Sequence, residues 1–469
     1  MKCHKFTSTA TRRDLLRTSA AGFGQIALAG MAQRQSRAAS SGDNHGQLSH
    51  AVGRAKRVIF LFMWGGPSHV DLFDPKPRLN VDDGKELSGE QVGREKKNLG
   101  KLLGSPFKFK QHGEGGVWIS ELFPHLSQQA DKLCVIRSLH TEGNAHGEAL
   151  LNLHTGQASL VRPSVGAWVS YGLGSESENL PAFVTISPPR GHGGVQNYGS
   201  AFLPAVHQGT AIGSAETPIA DAVVSNLVNK RMSPDKQRAQ LDLIQSLNRK
   251  HLQKVVADPN IEGLIANYEL AFRMQSTMPQ IMGLADETKE TLNLYGIDSE
   301  PTNNFGRQCL LARKLAESGV RYIQVSTDYT WDHHTKVRDG SIKESAKVDQ
   351  PIAGLLADLE RRGLLDDTLV VWGAEFGRTP MIEGADGRNH HPQGFTMWLA
   401  GGGVKGGFTY GATDEFGYAP VENPVHMHDL HATVLHALGL DHERLTYRHA
   451  GRDFRLTDVY GNVAHDVFA

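Results

Sequence analysis

Cysteine is nearly absent: Cys3, Cys134 and Cys309 are the only three among 469 residues. Three thiols exclude a disulfide framework and a cysteine-built zinc site. Cys134 and Cys309 read as buried free thiols, with a single bridge between them as the alternative. Net charge is nearly absent too, because 49 Lys and Arg face 50 Asp and Glu. A formal charge of −1 favours neither nucleic acid nor an acidic membrane surface as a partner. No apolar run reaches membrane-spanning length. What is left, 39% hydrophobic and 21% charged, describes a globular chain long enough to bury a large core.

The first 40 residues stand apart. Thr11-Arg12-Arg13-Asp14-Leu15-Leu16-Arg17 is a twin-arginine pattern. A weakly apolar stretch rich in Ala and Gly follows at 18–31, and Ala38-Ala39 offers small residues for cleavage. The segment resembles a twin-arginine export signal and is set aside from fold reasoning. The other reading is a basic amphipathic leader with chance arginines. On the first reading the mature chain has no transmembrane segment and is periplasmic or secreted.

Histidine is abundant, at 23, and clusters with carboxylates. The densest stretch begins with an apolar run at 369–372, read as a buried strand. Glu375 and Arg378 follow it. A loop holding Gly384 and Gly387 then delivers His390-His391, before a second apolar strand at 395–400. Open α/β sheets gather ligand groups at the carboxyl ends of their strands. Glu375, Arg378, His390 and His391 are therefore expected to meet at one sheet edge.

Other segments feed the same edge. Residues 57–64 form a continuous apolar run, a central strand by its composition. Gly65-Gly66-Pro67 ends it, and Ser68, His69, Asp71 and Asp74 come next, as candidate site residues or as ordinary turn and cap residues. A short helix is expected at 119–129 and a strand at 133–138. His146 opens a helix that Gly156 closes, and a helix N-terminus favours anions. Residues 187–216 read as a long loop in which His192 could line a pocket. Residues 220–300 read as a mainly helical insertion. The strand 322–326 runs into Asp328, Asp332, His333 and His334, and carboxylates beside imidazoles suit Zn, Mn or Fe. A helix is expected at 348–361, and another from His428 to Gly439.

Strands alternating with helices imply an α/β domain with a mostly parallel sheet over 55–469. With the motifs placed, the chain resembles the domain-of-unknown-function 1501 family, exported and usually described as sulfatase-like. The matching pieces are Phe62-Met63-Trp64-Gly65-Gly66-Pro67-Ser68, Trp331-Asp332-His333-His334, Glu375-Phe376-Gly377-Arg378-Thr379-Pro380, Gly401-Gly402-Gly403 and His428-Asp429-Leu430-His431. A remoter resemblance is to the alkaline phosphatase and sulfatase superfamily. It implies an alkaline-phosphatase-like fold and a divalent metal ion (Zn, Mn, Fe or Ca). It also implies metal ligands among Asp332, His334, Glu375 and His390 or His391, and His146 at the nucleophile position. The chain departs from that pattern in three places. The first-strand aspartate of the superfamily falls near Trp64-Gly65 here, so Asp71 or Asp74 would have to replace it. Phe376 stands where a second metal pocket would need a ligand, and no Ser, Thr or Cys stands at 146.

Two functions follow from this reading. One is an exported metal-dependent hydrolase of sulfate or phosphate esters, on an anionic ester or polysaccharide. His146 and Arg378 would be catalytic, and Ser68, His69 and His192 would bind substrate. The other is a non-catalytic binding or scaffold protein on a degenerate sulfatase-like fold.

Overall fold

The computed structural model describes residues 50–222, 232–252 and 259–469. The twin-arginine segment at 1–40 and parts of the helical insertion lie outside the described residues. Among the latter, nine strands build one sheet. We label them and their neighbours in chain order: β1 Arg57–Phe62, β2 Leu133–His140, β3 Phe183–Ile186, β4 Thr210–Ile212, β5 Tyr322–Ser326, β6 Thr368–Gly373, β7 Gly377–Glu383, β8 Gly387–His391, β9 Phe395–Ala400, β10 Phe408–Tyr410 and β11 Val425–His426. The sheet runs β10-β2-β9-β6-β1-β5-β3-β4, with β11 also beside β2. Only β9 is antiparallel to its sheet neighbours. β7 and β8 form a separate hairpin.

Why the sheet lies at the centre follows from β1 and β6. Every residue of Arg57-Val-Ile-Phe-Leu-Phe62 and of Thr368-Leu-Val-Val-Trp-Gly373 is buried. Such two-sided burial requires helices on both faces. The helices used below are α1 His146–Thr155, α2 Val165–Leu173, α3 Pro234–Leu252, α4 Pro259–Met282, α5 Asn303–Glu317, α6 Val337–Arg361 and α7 Met427–Ala437. Side chains alternate along a strand, so each strand feeds two cores. Ile59, Leu61, Val325, Val370 and Trp372 pack with Leu310 and Leu315 of α5 and Ile352 and Leu355 of α6. Val58, Phe60, Phe62, Leu369 and Val371 pack with Trp168 of α2 and Leu430 and Leu435 of α7. Each such wholly buried side chain contributes about 1.5–3 kcal/mol.

Register decides where the site falls. Phe62 of β1 pairs with Gly373 of β6 on one side and Ser326 of β5 on the other. Three parallel strands thus stop at one level, and the segments that leave them meet. α1 spans the expected residues and ends on Gly156 at φ 67°, a left-handed cap. Cys134 and Cys309 are both buried free thiols. Four expectations fail. The long loop read at 187–216 holds β4, Thr210–Ile212, and the loop read before His390 is the hairpin of β7 and β8. Residues 119–129 hold the end of a short strand, Val117–Ser120, and a 3-10 segment from Leu126, because Pro124 interrupts the stretch. α6 begins at Val337, eleven residues before the expected start, and continues through Pro351.

Candidate metal centre

Gly65 and Gly66 leave β1 with φ of +119° and +77°. A side chain at Gly66 would place its Cβ 2.7 Å from the Phe376 ring. That close turn brings the Gly65 amide to 3.1 Å from Glu375 Oε1, behind the end of β6. Glu375 is wholly buried. The same Oε1 accepts from Nδ1 of His146, 2.7 Å away. A carboxylate on Nδ1 fixes the tautomer, so His146 offers Nε2 as a lone pair. Nε2 lies 3.3 Å from Asp332 Oδ1, and this buried nitrogen has no hydrogen-bond partner.

Two further rings repeat the arrangement. His390, on β8, has Nδ1 2.6 Å from the carbonyl of Asn144 and Nε2 3.2 Å from Asp332 Oδ1. His334, two residues after Asp332, has Nδ1 on the carboxylate of Glu383 and Nε2 3.1 Å from Asp332 Oδ1. The two Nε2 atoms of His334 and His390 are 2.9 Å apart. Three Nδ1 atoms face acceptors, so three Nε2 lone pairs converge on one carboxylate oxygen. Lone pairs that close repel unless a proton or a cation sits between them. Four-coordinate zinc with bonds of about 2.0–2.1 Å holds its donors about 3.3 Å apart. The spacing, the donor chemistry and the orphaned His146 nitrogen all fit a divalent cation. His146, Asp332 and His390 satisfy the fit most closely, with one donor atom from each lying within 4.8 Å of the others. Glu375 and Glu383 stand behind histidines, as partners that orient ligands.

The charges around the cluster are held in place. Burial alone would raise the Asp332 pKa, but the His146 and His390 rings against it and the adjacent Arg378 charge drive it far below the carboxylate range. Burial opposes a charge on His146, yet Asp332 and Glu375 raise its pKa overall. Arg378 is fully buried and gives hydrogen bonds to the carbonyls of Gly65, Gly66 and Arg388 and to Asp332. It locks the glycine turn and anchors the aspartate. The Phe376 ring stacks on His390 at 4.6 Å and lies 4.8 Å from His146.

The other expected residues divide into two groups. His192 joins the cluster's rim: its ring stacks on His146 at 5.3 Å and meets Trp64 at 5.6 Å. Ser68, His69 and His391 belong elsewhere. Ser68 donates to Asp71, 2.5 Å away, and Asp71 forms a fully buried ion pair with Arg388 at 2.7 Å. His69 and His391 stack on each other and bond to the carbonyls of Gly417 and Tyr418. Strand alternation explains the split between the adjacent pair on β8: His390 faces the cluster and His391 the opposite side. His333 likewise turns away from His334, toward Gly340 on α6. Sequence reasoning missed Tyr329, Glu383 and Asn144. Tyr329 stood in the Asp328–His334 run, three residues before Asp332. Glu383 and Asn144 carried no sequence signal, since a carbonyl partner and a hairpin carboxylate depend on the fold.

A family model described as protein of unknown function (DUF1501) matches residues 55–468, and the chain belongs to that family. No curated protein matches it. Among solved structures it is similar to the PsFucS1 sulfatase from Pseudoalteromonas sp., at 12% identity over 82% of this chain and 68% of that one, with a TM-score of 0.35. It is similar to the phosphonate monoester hydrolase SpPMH from Silicibacter pomeroyi, at 11% identity, 82% and 73% coverage and TM-score 0.35. It is also similar to the alkaline phosphatase of the Antarctic bacterium TAB5, at 10% identity, 82% and 98% coverage and TM-score 0.33. The fold itself is an α/β domain with a central, mostly parallel sheet flanked by helices.

Proposed function

We propose that this chain is an exported metal-dependent hydrolase of sulfate or phosphate esters, with esters on polysaccharide as one substrate. One observation carries the proposal: three histidines with Nδ1 tied to acceptors turn Nε2 toward Asp332 at the carboxyl edge of the sheet. A divalent cation held there supplies Lewis-acid polarisation of an ester oxygen and acidifies water. The chain's own residues prepare the place. Glu375 orients His146 and raises its basicity. Arg378 keeps Asp332 ionised and the Gly65-Gly66 turn fixed. Phe376 and His192 pack against His146 on two sides. In this reading His146 is a ligand, since its free nitrogen faces Asp332, and not the nucleophile or acid/base of the sequence reading. Export rests on the twin-arginine segment alone. No described helix is long and apolar enough to cross a membrane.

The second reading, a binding or scaffold protein, is favoured by Arg378. An arginine directed at three carbonyls and an aspartate leaves no bidentate fork for an anionic substrate. Elemental analysis of the purified chain, followed by a panel of aryl and sugar sulfates, phosphates and phosphodiesters, separates the two. Turnover that vanishes in Asp332→Ala supports the hydrolase. Full cation occupancy with no turnover supports the binding protein. A chain that takes up no cation removes the hydrolase proposal.

A further inference from the structure

The two oxygens of Asp332 have different surroundings. Oδ1 faces the Nε2 atoms of His146, His334 and His390 at 3.3, 3.1 and 3.2 Å and also receives Arg378. Oδ2 receives the phenol of Tyr329 at 2.7 Å. The Tyr329 ring is not free to swing. It lies edge-on to His146 at 5.0 Å, against His192 at 5.1 Å and against Trp64 at 4.7 Å. Packing on three rings aims the hydroxyl, while 37% of the residue stays open to solvent.

We infer that Tyr329 is a positioning residue that confines Asp332 to one-oxygen ligation, so that the cluster selects a small, four-coordinate, nitrogen-preferring cation of the zinc type over calcium. The inference rests on the preceding reading that the cluster holds a divalent cation. Imidazole nitrogens beside one carboxylate oxygen match zinc, whereas calcium takes six to eight oxygens. Manganese stands between, since it accepts more oxygen and a higher coordination number. A carboxylate with both oxygens free can close on a cation in bidentate fashion and favour the larger ion. The Tyr329 hydroxyl withholds the second oxygen.

The test uses the full chain, stripped of metal with a chelator and titrated with Zn²⁺, Mn²⁺ or Ca²⁺ against a chromophoric competitor. Wild type is compared with Tyr329→Phe, which keeps the ring and removes the hydroxyl. Tyr460→Phe, an exposed position, serves as control, and thermal unfolding of the stripped proteins reports whether the fold is intact. We expect wild type to bind Zn²⁺ at least about a hundredfold more tightly than Ca²⁺. In Tyr329→Phe we expect Zn²⁺ affinity to fall about 10–100-fold, the range for lost ligand-orienting partners. Mn²⁺ affinity should fall less, so the Zn²⁺-to-Mn²⁺ ratio narrows. Unchanged Zn²⁺ affinity in Tyr329→Phe overturns the inference and leaves the metal reading intact. An equal loss for both ions overturns it too, since a ring with only a packing role would weaken both alike. Wild type that prefers Ca²⁺ refutes the selectivity. Wild type that binds none of the three removes the metal reading and the inference together.

Discussion

His334 and His390 meet nitrogen to nitrogen at 2.9 Å, each with its other nitrogen already tied to an oxygen acceptor. Neither ring, in the neutral form, has a proton to offer the other. Two acceptor nitrogens set side by side suit a shared proton or a bound cation at the cluster.

The first prediction concerns this pair. His334→Ala and His390→Ala should each weaken cation binding by more than the roughly 10–100-fold expected for an orienting partner, because a ligand is removed outright. Competition titration of the folded variants measures this. Binding equal to wild type in both would show that the two rings merely share a proton.

Glu375 gives the second. Glu375→Gln keeps the shape and the buried position but removes the charge behind His146. Cation affinity should drop about 10–100-fold with little change in thermal stability of the loaded-free chain. The same titration decides it, and a loss of bound cation as complete as in Asp332→Ala would instead make Glu375 a direct ligand.

The ion pair of Asp71 and Arg388 supplies the third. Both side chains are fully buried, and Arg388 makes further bonds to the carbonyls of Thr379 and Leu103. Arg388→Ala should destabilise the fold by about 3–5 kcal/mol, since it leaves a buried carboxylate unpaired. Urea unfolding of Arg388→Ala and of the Asp71→Asn, Arg388→Met pair gives the comparison. The double variant should recover part of the loss; equal losses would place the cost in packing.

Acid stability is the fourth. His154 and His431 are buried in the α1–α7 core, and burial pushes both pKa values down to about 3. The unfolded chain takes up a proton near pH 6.5 while the fold refuses it. Stability from these two is therefore whole above pH 6.5 and declines as pH falls toward 3, by about 1.4 kcal/mol per pH unit for each ring. Denaturant midpoints from pH 7 to 5 should fall more gently in His154→Phe, whose site already touches Phe60 and Phe62. An identical slope would refute the assignment.

The fifth is steric. Gly66→Ala must fit a Cβ 2.7 Å from the Phe376 ring at a φ of +77°. A loss of about 1–3 kcal/mol follows, together with a shift of the ring that covers His390. Urea unfolding measures the first effect, and cation titration the second.

Much of this was legible in residue order. β1 and β6 announced themselves as apolar runs, and the polar groups just past β1, β5 and β6 marked the sheet edge. The hairpin of β7 and β8 read only as a loop, because cross-strand pairing of Arg378 with His390 is invisible to local pattern. Which of two adjacent histidines turns inward depends on strand parity, and that parity was not fixed until the hairpin formed. The start of α6 was hidden by Pro351 and by a polar first half. Arg378 read as a catalytic group because sequence gives charge and position but not the carbonyls that surround them.

Asn144 and His390 are 246 residues apart along the chain, yet they hold the same ring in place. A cluster gathered from such distant segments forms only once α1, β8 and the segment that leaves β5 have been brought together by the fold. On the proposed reading, cation uptake would report topology already completed, and binding free energy would add to the stability of the finished sheet. Chelation should accordingly shift unfolding of the whole domain and not only of the loops that surround the ion.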